Sequence, residues 1–470
     1  MSNTLEKDNL FETMRPAKAL AVMAVPTVAS QVIILIYNLA DTWFIGRTGN
    51  PYMIGASSLV LTIYLAETAL ANLFGVGGGS LMARLIGEKK TDDARRVASY
   101  SVAAAAIAAL AFSVLLLVFA GPLLRLLGAS DNTFVFARQY LIVTAVIGGI
   151  PTVMSMSMPQ LLRNAGYAKE AGIGVGLGSL MNVFLDPLFM FVILPNGYEV
   201  LGAGIATMLS NIISMVYFIV MFRIVKDKTV LELPRRIERI GRAHTRSLYS
   251  VGIPAALSIF FFDLVTMVIN WLAASYGDIP LAAMGIVLKL ERLPLNIGLG
   301  VLLGMVPLIA YNYGSGNYRR MRQFFSLARI VILAFSVLCV ILFWFFADPL
   351  VGLFISGGKS AELAGETVRL GGEFLRGRCF ALPFMMIGYH IVNYMNAIGK
   401  GKVSFLMAVI RHLVLIIPIM LVMNHVFGMA GFIWSQLVAD LINTVIAVWV
   451  YRGVNRSVIS GTRRAGRQDE

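Results

Sequence analysis

Apolar residues run in long stretches rather than alternating with polar ones, and short polar segments divide them at nearly regular intervals. The runs lie near 17–46, 54–83, 97–119, 138–162, 170–194, 202–224, 246–275, 283–313, 324–346, 372–397, 403–424 and 429–451. Each reaches or exceeds the roughly 20 residues that cross the ~30 Å hydrocarbon core of a bilayer as a helix. The pattern predicts an all-α integral membrane protein with twelve transmembrane helices.

The runs come in two copies. Pro26, Trp43 and Gly49 recur 228 residues later as Pro254, Trp271 and Gly277. Ala83, Gly87 and Arg95 recur 227 later as Ala310, Gly314 and Arg322, and FAGPLLRLL at 119–127 recurs as FADPLVGLF at 346–354. Ala203-Gly204 returns as Ala430-Gly431, and Pro187 matches Pro418 after a small change in length. Six spans per copy give both copies the same orientation, a parallel repeat about an axis along the membrane normal. Transporters that rock one half against the other are built this way. The expected organisation is a polar amino terminus (1–16), an amino lobe (17–224), a basic linker (225–246), a carboxyl lobe (247–452) and a basic tail (453–470).

Composition agrees: 58% of the 470 residues are hydrophobic and 14% charged, with a mean hydropathy of +0.78. The net charge of +14 is not a nucleic-acid signature, because Lys and Arg gather in every second loop (RLIGEKKTDDARR, RIVKDKTVLELPRRIERIGRAHTR, GNYRRMRQ, RGVNRSVISGTRRAGR) while the loops between hold few. This positive-inside pattern puts both termini in the cytoplasm of a multi-pass plasma (inner) membrane protein. The polar start leads directly into a full span, so the first span is expected to stay in the mature protein. Cys339 and Cys379 are the only cysteines and suggest neither a disulfide framework nor a metal site. No Walker motif is present; the glycines at 75 and 77–79 lack the Lys and Ser/Thr of a phosphate loop and read as close-packing positions.

The candidate chemistry is a pair of carboxylates. Asp41 and Asp186 lie inside apolar spans, where a charge costs at least ~2.5 kcal/mol and rarely lacks a task. The repeat puts Ile269 and Ile417 at the matching places, so one lobe carries the charges and the other does not. Asn182 and Asp186 are four apart on one helix face, as are Tyr37 and Asp41, and Ala203 and Thr207. Three helices can thus aim two carboxylates, an amide, a hydroxyl and a carbonyl at one point in the outer half of the membrane. Hard oxygen ligands suit Na⁺, and of two adjacent carboxylates one readily holds a proton. Pro26 removes a backbone hydrogen bond within the first span, leaving either a fixed kink or a hinge.

PTVASQVIILIYNLADTWFIGRTGN in the first span, NVFLDP in the fifth and GAGIAT opening the sixth resemble the multidrug and toxic compound extrusion (MATE) family, and its DinF-like branch in particular. The resemblance covers nearly the whole chain, including both six-helix lobes. It implies that Asp41, Asn182, Asp186 and Thr207, with the Ala203 carbonyl, bind Na⁺ or H⁺, and that Pro26 and Tyr37 serve bending of the first helix. It further implies a secondary active antiporter exporting amphipathic, cationic organic compounds in exchange for Na⁺ or H⁺ by alternating access, with no cofactor and no enzymatic activity. The expected partners are drug-like small molecules and membrane lipids, not nucleic acid, and the chain is expected to be a monomer.

Gln31, Asn38, the methionines Met154, Met156 and Met158, Asp263, Glu291 and Asn393 are candidate liners of a substrate cavity, the methionines for their adaptable packing. Asp263 either pairs with Lys289 or Arg292, or faces the cavity together with Glu291. A lipid or lipid-linked oligosaccharide flippase is the alternative, kept open by Lys289, Arg292, Arg376 and Arg378 as candidates to hold a pyrophosphate.

Overall fold

The computed structural model describes residues 10–234, 239–355 and 361–465, with backbone alone at 361–363 and 457–465. Among the described residues there are helices and connecting turns and no strands. In the first half, α1 (Pro16–Arg47), α2 (Pro51–Gly87) and α3 (Thr91–Leu126) are single rods. The fourth span is broken: α4 (Asp131–Leu141) widens into a π-helical turn at Ile142–Ile147 and resumes as α5 (Gly149–Asn164), bent by 53°. The fifth span is α6 (Ala168–Leu188), which also widens at Phe189–Ile193, and the sixth is α7 (Glu199–Val225).

The second half repeats this plan. It contains α8 (Arg242–Ser275), α9 (Asp278–Gly314), α10 (Tyr318–Gly352), a broken pair α11 (Ala361–Cys379) and α12 (Leu382–Ala397), α13 (Gly401–Val409) with a wide segment Ile410–Ile416, and α14 (Ile417–Ala465). Among the described residues nine helices qualify as membrane spans by length and apolar composition, or ten with the bent fourth counted as one. The non-helical backbone of Gly428 (φ 59°, ψ −141°) divides the longest of them in two. The α11–α12 pair supplies the twelfth passage, so the protein is a twelve-helix, multi-pass membrane protein of two six-helix lobes.

Local chemistry fixes the helix ends. Asn50 accepts a hydrogen bond from the Tyr52 amide with Pro51 in the first turn, so α2 starts there. Ser130 and Asn317 cap α4 and α10 in the same way. The turns before α2 and α9 match across the repeat: Gly49 and Gly277 both have positive φ, 63° and 115°, a conformation that favours glycine. Helices overrun the apolar stretches because their last turns stand in the polar boundary. The basic tail continues α14 as helix through Ala465, where the sequence suggested a separate segment. The described residues before α1 are docked rather than separate: Phe11 stacks on Tyr311 with ring centroids 4.7 Å apart.

The lobes meet through α1 against α9, α2 against α8 and α2 against α9. At the α2–α9 crossing a methyl group on Gly87 would overlap the Tyr311 carbonyl oxygen, and one on Gly314 the Arg84 carbonyl oxygen. Ser80 donates across the boundary to the Asn396 carbonyl (3.0 Å) and Arg84 to the Ser247 hydroxyl (3.2 Å). These crossings lie toward the face that carries the amino terminus and the Lys/Arg-rich turns. Each lobe also has its own apolar core. That of the first includes Met154, Met158, Phe218 and Phe222; that of the second includes Ile269, Phe374 and Phe432.

Candidate functional site

The fifth and sixth spans bring the predicted polar residues together. Asn182 and Asp186, one turn apart on α6, are 2% and 0% exposed. The Asn182 amide nitrogen donates to Asp186 Oδ1 at 3.2 Å and to Thr207 Oγ1 of α7 at 3.3 Å. Pro187 follows directly and cannot donate to the carbonyl one turn back, which loosens α6 where it widens at Phe189. Ala203, fully buried, packs with Ile45 and Met190 at the far end of α1. Asp41 is half-buried on α1, within electrostatic reach of Asp186, and both carboxylates act on Tyr37 and Tyr140.

Three oxygen atoms here are buried without a donor: Asp41 Oδ1, Asp186 Oδ2 and Asn182 Oδ1. No ion-pair partner for either Asp occurs among the described residues. A donor set of two carboxylates, an amide oxygen and a hydroxyl, left short of hydrogen, has the composition of a Na⁺ or proton site. Among the described residues no group of three or more His, Cys, Asp or Glu is placed to hold a metal ion.

Pro26 lies inside α1, which runs as one continuous helix from Pro16 to Arg47. Its carbonyl packs against Gly172 of α6. Gln31 is half-buried and Asn38 exposed on the same helix. Two of the three methionines depart from the expected cavity. Met154 and Met158 are 5% and 0% exposed, packed in the amino-lobe core with Phe218 and Phe222. Met156 is half-buried and accepts a hydrogen bond from Thr68 through its sulfur (3.6 Å). Asn393 is half-buried and donates to the Tyr389 carbonyl of its own helix (2.9 Å).

The carboxyl lobe holds a small pocket whose wall includes Glu291, Arg292, Arg378, Arg411 and His412. Of the two arrangements open to Asp263, the pairing with Lys289 or Arg292 is corrected. Asp263 makes no ion pair among the described residues, and it is Glu291 that accepts a two-pronged pair from Arg378 (2.8 and 3.0 Å). Arg411 is likewise matched to Asp440 (2.8 and 3.3 Å), with Gln436 donating to the same carboxylate (2.7 Å). Arg376 pairs with Asp348, and both cysteines are buried and free.

Sequence reasoning passed over two buried acids, Glu67 and Asp440, and the half-buried Tyr140. Glu67 and Asp440 carry the same signal as Asp41, an isolated acid in an apolar run (LTIYLAETALANL and SQLVADLIN).

Comparison with known proteins agrees with this architecture. The multidrug export protein MepA of Staphylococcus haemolyticus is 29% identical over 440 residues, and MepA of Staphylococcus saprophyticus 28% over 442, each match covering 94% of both chains. A crystal structure of MATE in complex with MaD3S superposes with a TM-score of 0.89 at 22% identity, covering 97% of this chain and 99% of that one. The MatE family model matches residues 26–188 and 254–422, one segment in each lobe. Two matched segments, placed as the sequence repeat places them, cover most of the twelve-helix fold, and the chain belongs to the MatE (multidrug and toxic compound extrusion) family.

Proposed function

We propose that the protein is a secondary active efflux antiporter that exports amphipathic organic compounds in exchange for Na⁺ or H⁺. The observation that carries this reading is the trio of donor-less buried oxygens on Asp41, Asn182 and Asp186, beside Thr207 and with no cation of the protein's own. A proton or Na⁺ entering there neutralises one of two neighbouring charges and supplies the missing contacts. The relatives named as multidrug export proteins support drug-like substrates.

The close lobe crossings near Gly87 and Gly314 seal the basic-loop face. With that face cytoplasmic, the conformation is open outward and ready to take up the driving ion. Ion binding at Asp41 and Asp186 draws α1 toward α6 and bends it at Pro26, where the helix lacks one hydrogen bond. Substrate is thereby displaced outward. The ion shifts the equilibrium only by its difference in affinity between the two states. The carboxyl-lobe arginines give little support to a flippase that holds a pyrophosphate, because Arg378 and Arg411 are already matched to Glu291 and Asp440.

The test is efflux of a fluorescent organic cation from proteoliposomes with Na⁺ and pH gradients imposed separately. One gradient is expected to drive transport, and Asp41→Asn to abolish it while leaving the protein folded. Gradient-driven efflux by Asp41→Asn at the wild-type rate overturns the coupling assignment, and no efflux under either gradient overturns the antiport reading.

A further inference from the structure

Glu67 lies mid-way along α2, about 24 Å from its Pro51 end at ~1.5 Å per residue. The residue is 1% exposed. Its Oε1 is buried without a donor, and neither carboxylate oxygen has a hydrogen-bond or ion-pair partner among the described residues. From α3 the facing group is Ser113, whose hydroxyl is already committed to the Ala145 carbonyl (2.9 Å). From the fourth span it is Gly149, the first residue after the 53° bend, against whose Cα Oε1 rests. On α2 itself the nearest titratable group is Tyr64, which also senses Asp41 of α1.

The repeat supplies an internal control. The offset of 227 maps Glu67 to Pro294, one turn from Glu291. Both acids therefore stand on the second helix of their lobe, facing the break in the fourth. In the carboxyl lobe the break between α11 and α12 brings Arg378, and Glu291 is neutralised by a two-pronged pair. In the amino lobe the break brings glycine. A carboxylate left ionised there keeps a desolvation cost of several kcal/mol that nothing offsets, whereas a carboxylic acid carries no charge and escapes that cost.

We infer that Glu67 is a proton-binding site of the amino lobe, distinct from Asp41 and Asp186: it holds a proton in the bent conformation of the fourth span and exchanges it with water when that bend rearranges. Binding adds one proton to one carboxylate and needs no other reactant. The inference does not rest on the Asp41/Asp186 assignment, and its first readout needs no transport.

The experiment is infrared difference spectroscopy of the purified, reconstituted full chain. At neutral pH the wild type should show a protonated-carboxyl C=O band that is lost in Glu67→Gln and displaced, not lost, in Glu67→Asp. Identical spectra for wild type and both variants mean that Glu67 is ionised, and overturn the proposal. The second readout is the pH profile of efflux. Glu67→Gln, which mimics the protonated acid, should flatten the profile, and Glu67→Asp should restore its shape. A lost band with an unchanged profile shows a permanently held proton and overturns the exchange. Should Glu67→Gln fail to fold, the displaced band and the pH profile of Glu67→Asp decide both points: an undisplaced band, or a profile whose midpoint matches wild type, overturns the proposal.

Discussion

Gly87 and Gly314 stand at matching positions of the sequence repeat, and each lets the backbone of the other lobe in. A Cβ on Gly87 would strike the Tyr311 carbonyl, and one on Gly314 would strike the Arg84 carbonyl. Arg84 and Tyr311 are themselves repeat-related, so the contact is two-fold symmetric. It is the tightest kind of seal two helices can make, with no side chain between them.

From this contact follows a prediction about conformation. Gly87→Ala or Gly314→Ala forces the lobes apart at the basic-loop face. Overpacking of this kind costs about 1–3 kcal/mol, and only states with that face closed bear the cost. The population should shift by roughly 5- to 150-fold toward states with the face open. Distances between spin labels on the two lobes should lengthen there. If they do not change while the substituted protein stays folded, the seal is not at this crossing.

Much of this arrangement was legible in the sequence, and the reason is physical. A bilayer demands apolar runs of fixed length, so the twelve spans stood out and Gly49, Gly87, Gly277 and Gly314 marked the repeat. Asp41 and Asp186 announced themselves by the cost of burial, and the same signal at Glu67 and Asp440 was there to be read. The partners of those acids were not legible, because Glu291 and Arg378 are 87 residues apart and packing alone decides which of several arginines a carboxylate meets. The bend at Gly148 was equally hidden. Pro151, in the first turn past the break, cannot donate to the Ile147 carbonyl of the π-helical turn, but a proline alone does not announce a bend of this size. Met154 and Met158 looked like cavity lining because composition does not say which side of a helix faces the core.

The Glu291–Arg378 pair gives a stability prediction. The Arg378 side chain is 4% exposed and that of Glu291 17%, so removing one partner strands a buried charge. Glu291→Gln should cost about 3–5 kcal/mol and lower the thermal unfolding midpoint. Replacing both, as Glu291→Leu with Arg378→Met, should recover most of the loss. A single substitution as stable as the wild type would mean that water, not Glu291, satisfies the guanidinium.

Outside the membrane spans, Glu12 gives a pH prediction. Its carboxylate accepts from Lys89 (2.7 Å) and from the Tyr311 hydroxyl (2.6 Å), and these two hydrogen bonds hold its pKa below the ordinary glutamate value of 4.5. A lowered folded-state value means the contact contributes fully above the ordinary glutamate range and is lost as pH falls through the lowered value. Docking of residues 10–14, which Arg320 also holds through the Phe11 and Met14 carbonyls, should loosen in that acid window. Backbone hydrogen exchange of this segment should rise there in wild type. In Glu12→Gln it should be faster at neutral pH and respond far less to acid. The same acid response in both proteins would place the sensitivity elsewhere.

Asn182 separates a structural from an ion-binding role most cleanly. Its amide nitrogen donates to Asp186 and Thr207, which fixes the amide's orientation and leaves Oδ1 as a buried acceptor without a donor. Asn182→Leu removes that acceptor and also frees the Asp186 and Thr207 oxygens. If the site takes Na⁺ or H⁺, the lost contact weakens occupancy by about 1–3 kcal/mol, roughly a five- to 150-fold shift in the ion concentration at which thermal stabilisation is half complete. A purely structural Asn182 would instead lower the unfolding temperature at every ion concentration and leave that midpoint where it was. Asn182→Asp adds a third carboxylate to the cluster, and its neighbours' charges oppose its ionisation. It should raise the number of protons taken up on acidification while the protein remains folded. An unchanged midpoint in Asn182→Leu together with unchanged proton uptake in Asn182→Asp would remove Asn182 from the ion site and leave Asp41 and Asp186 to bind alone.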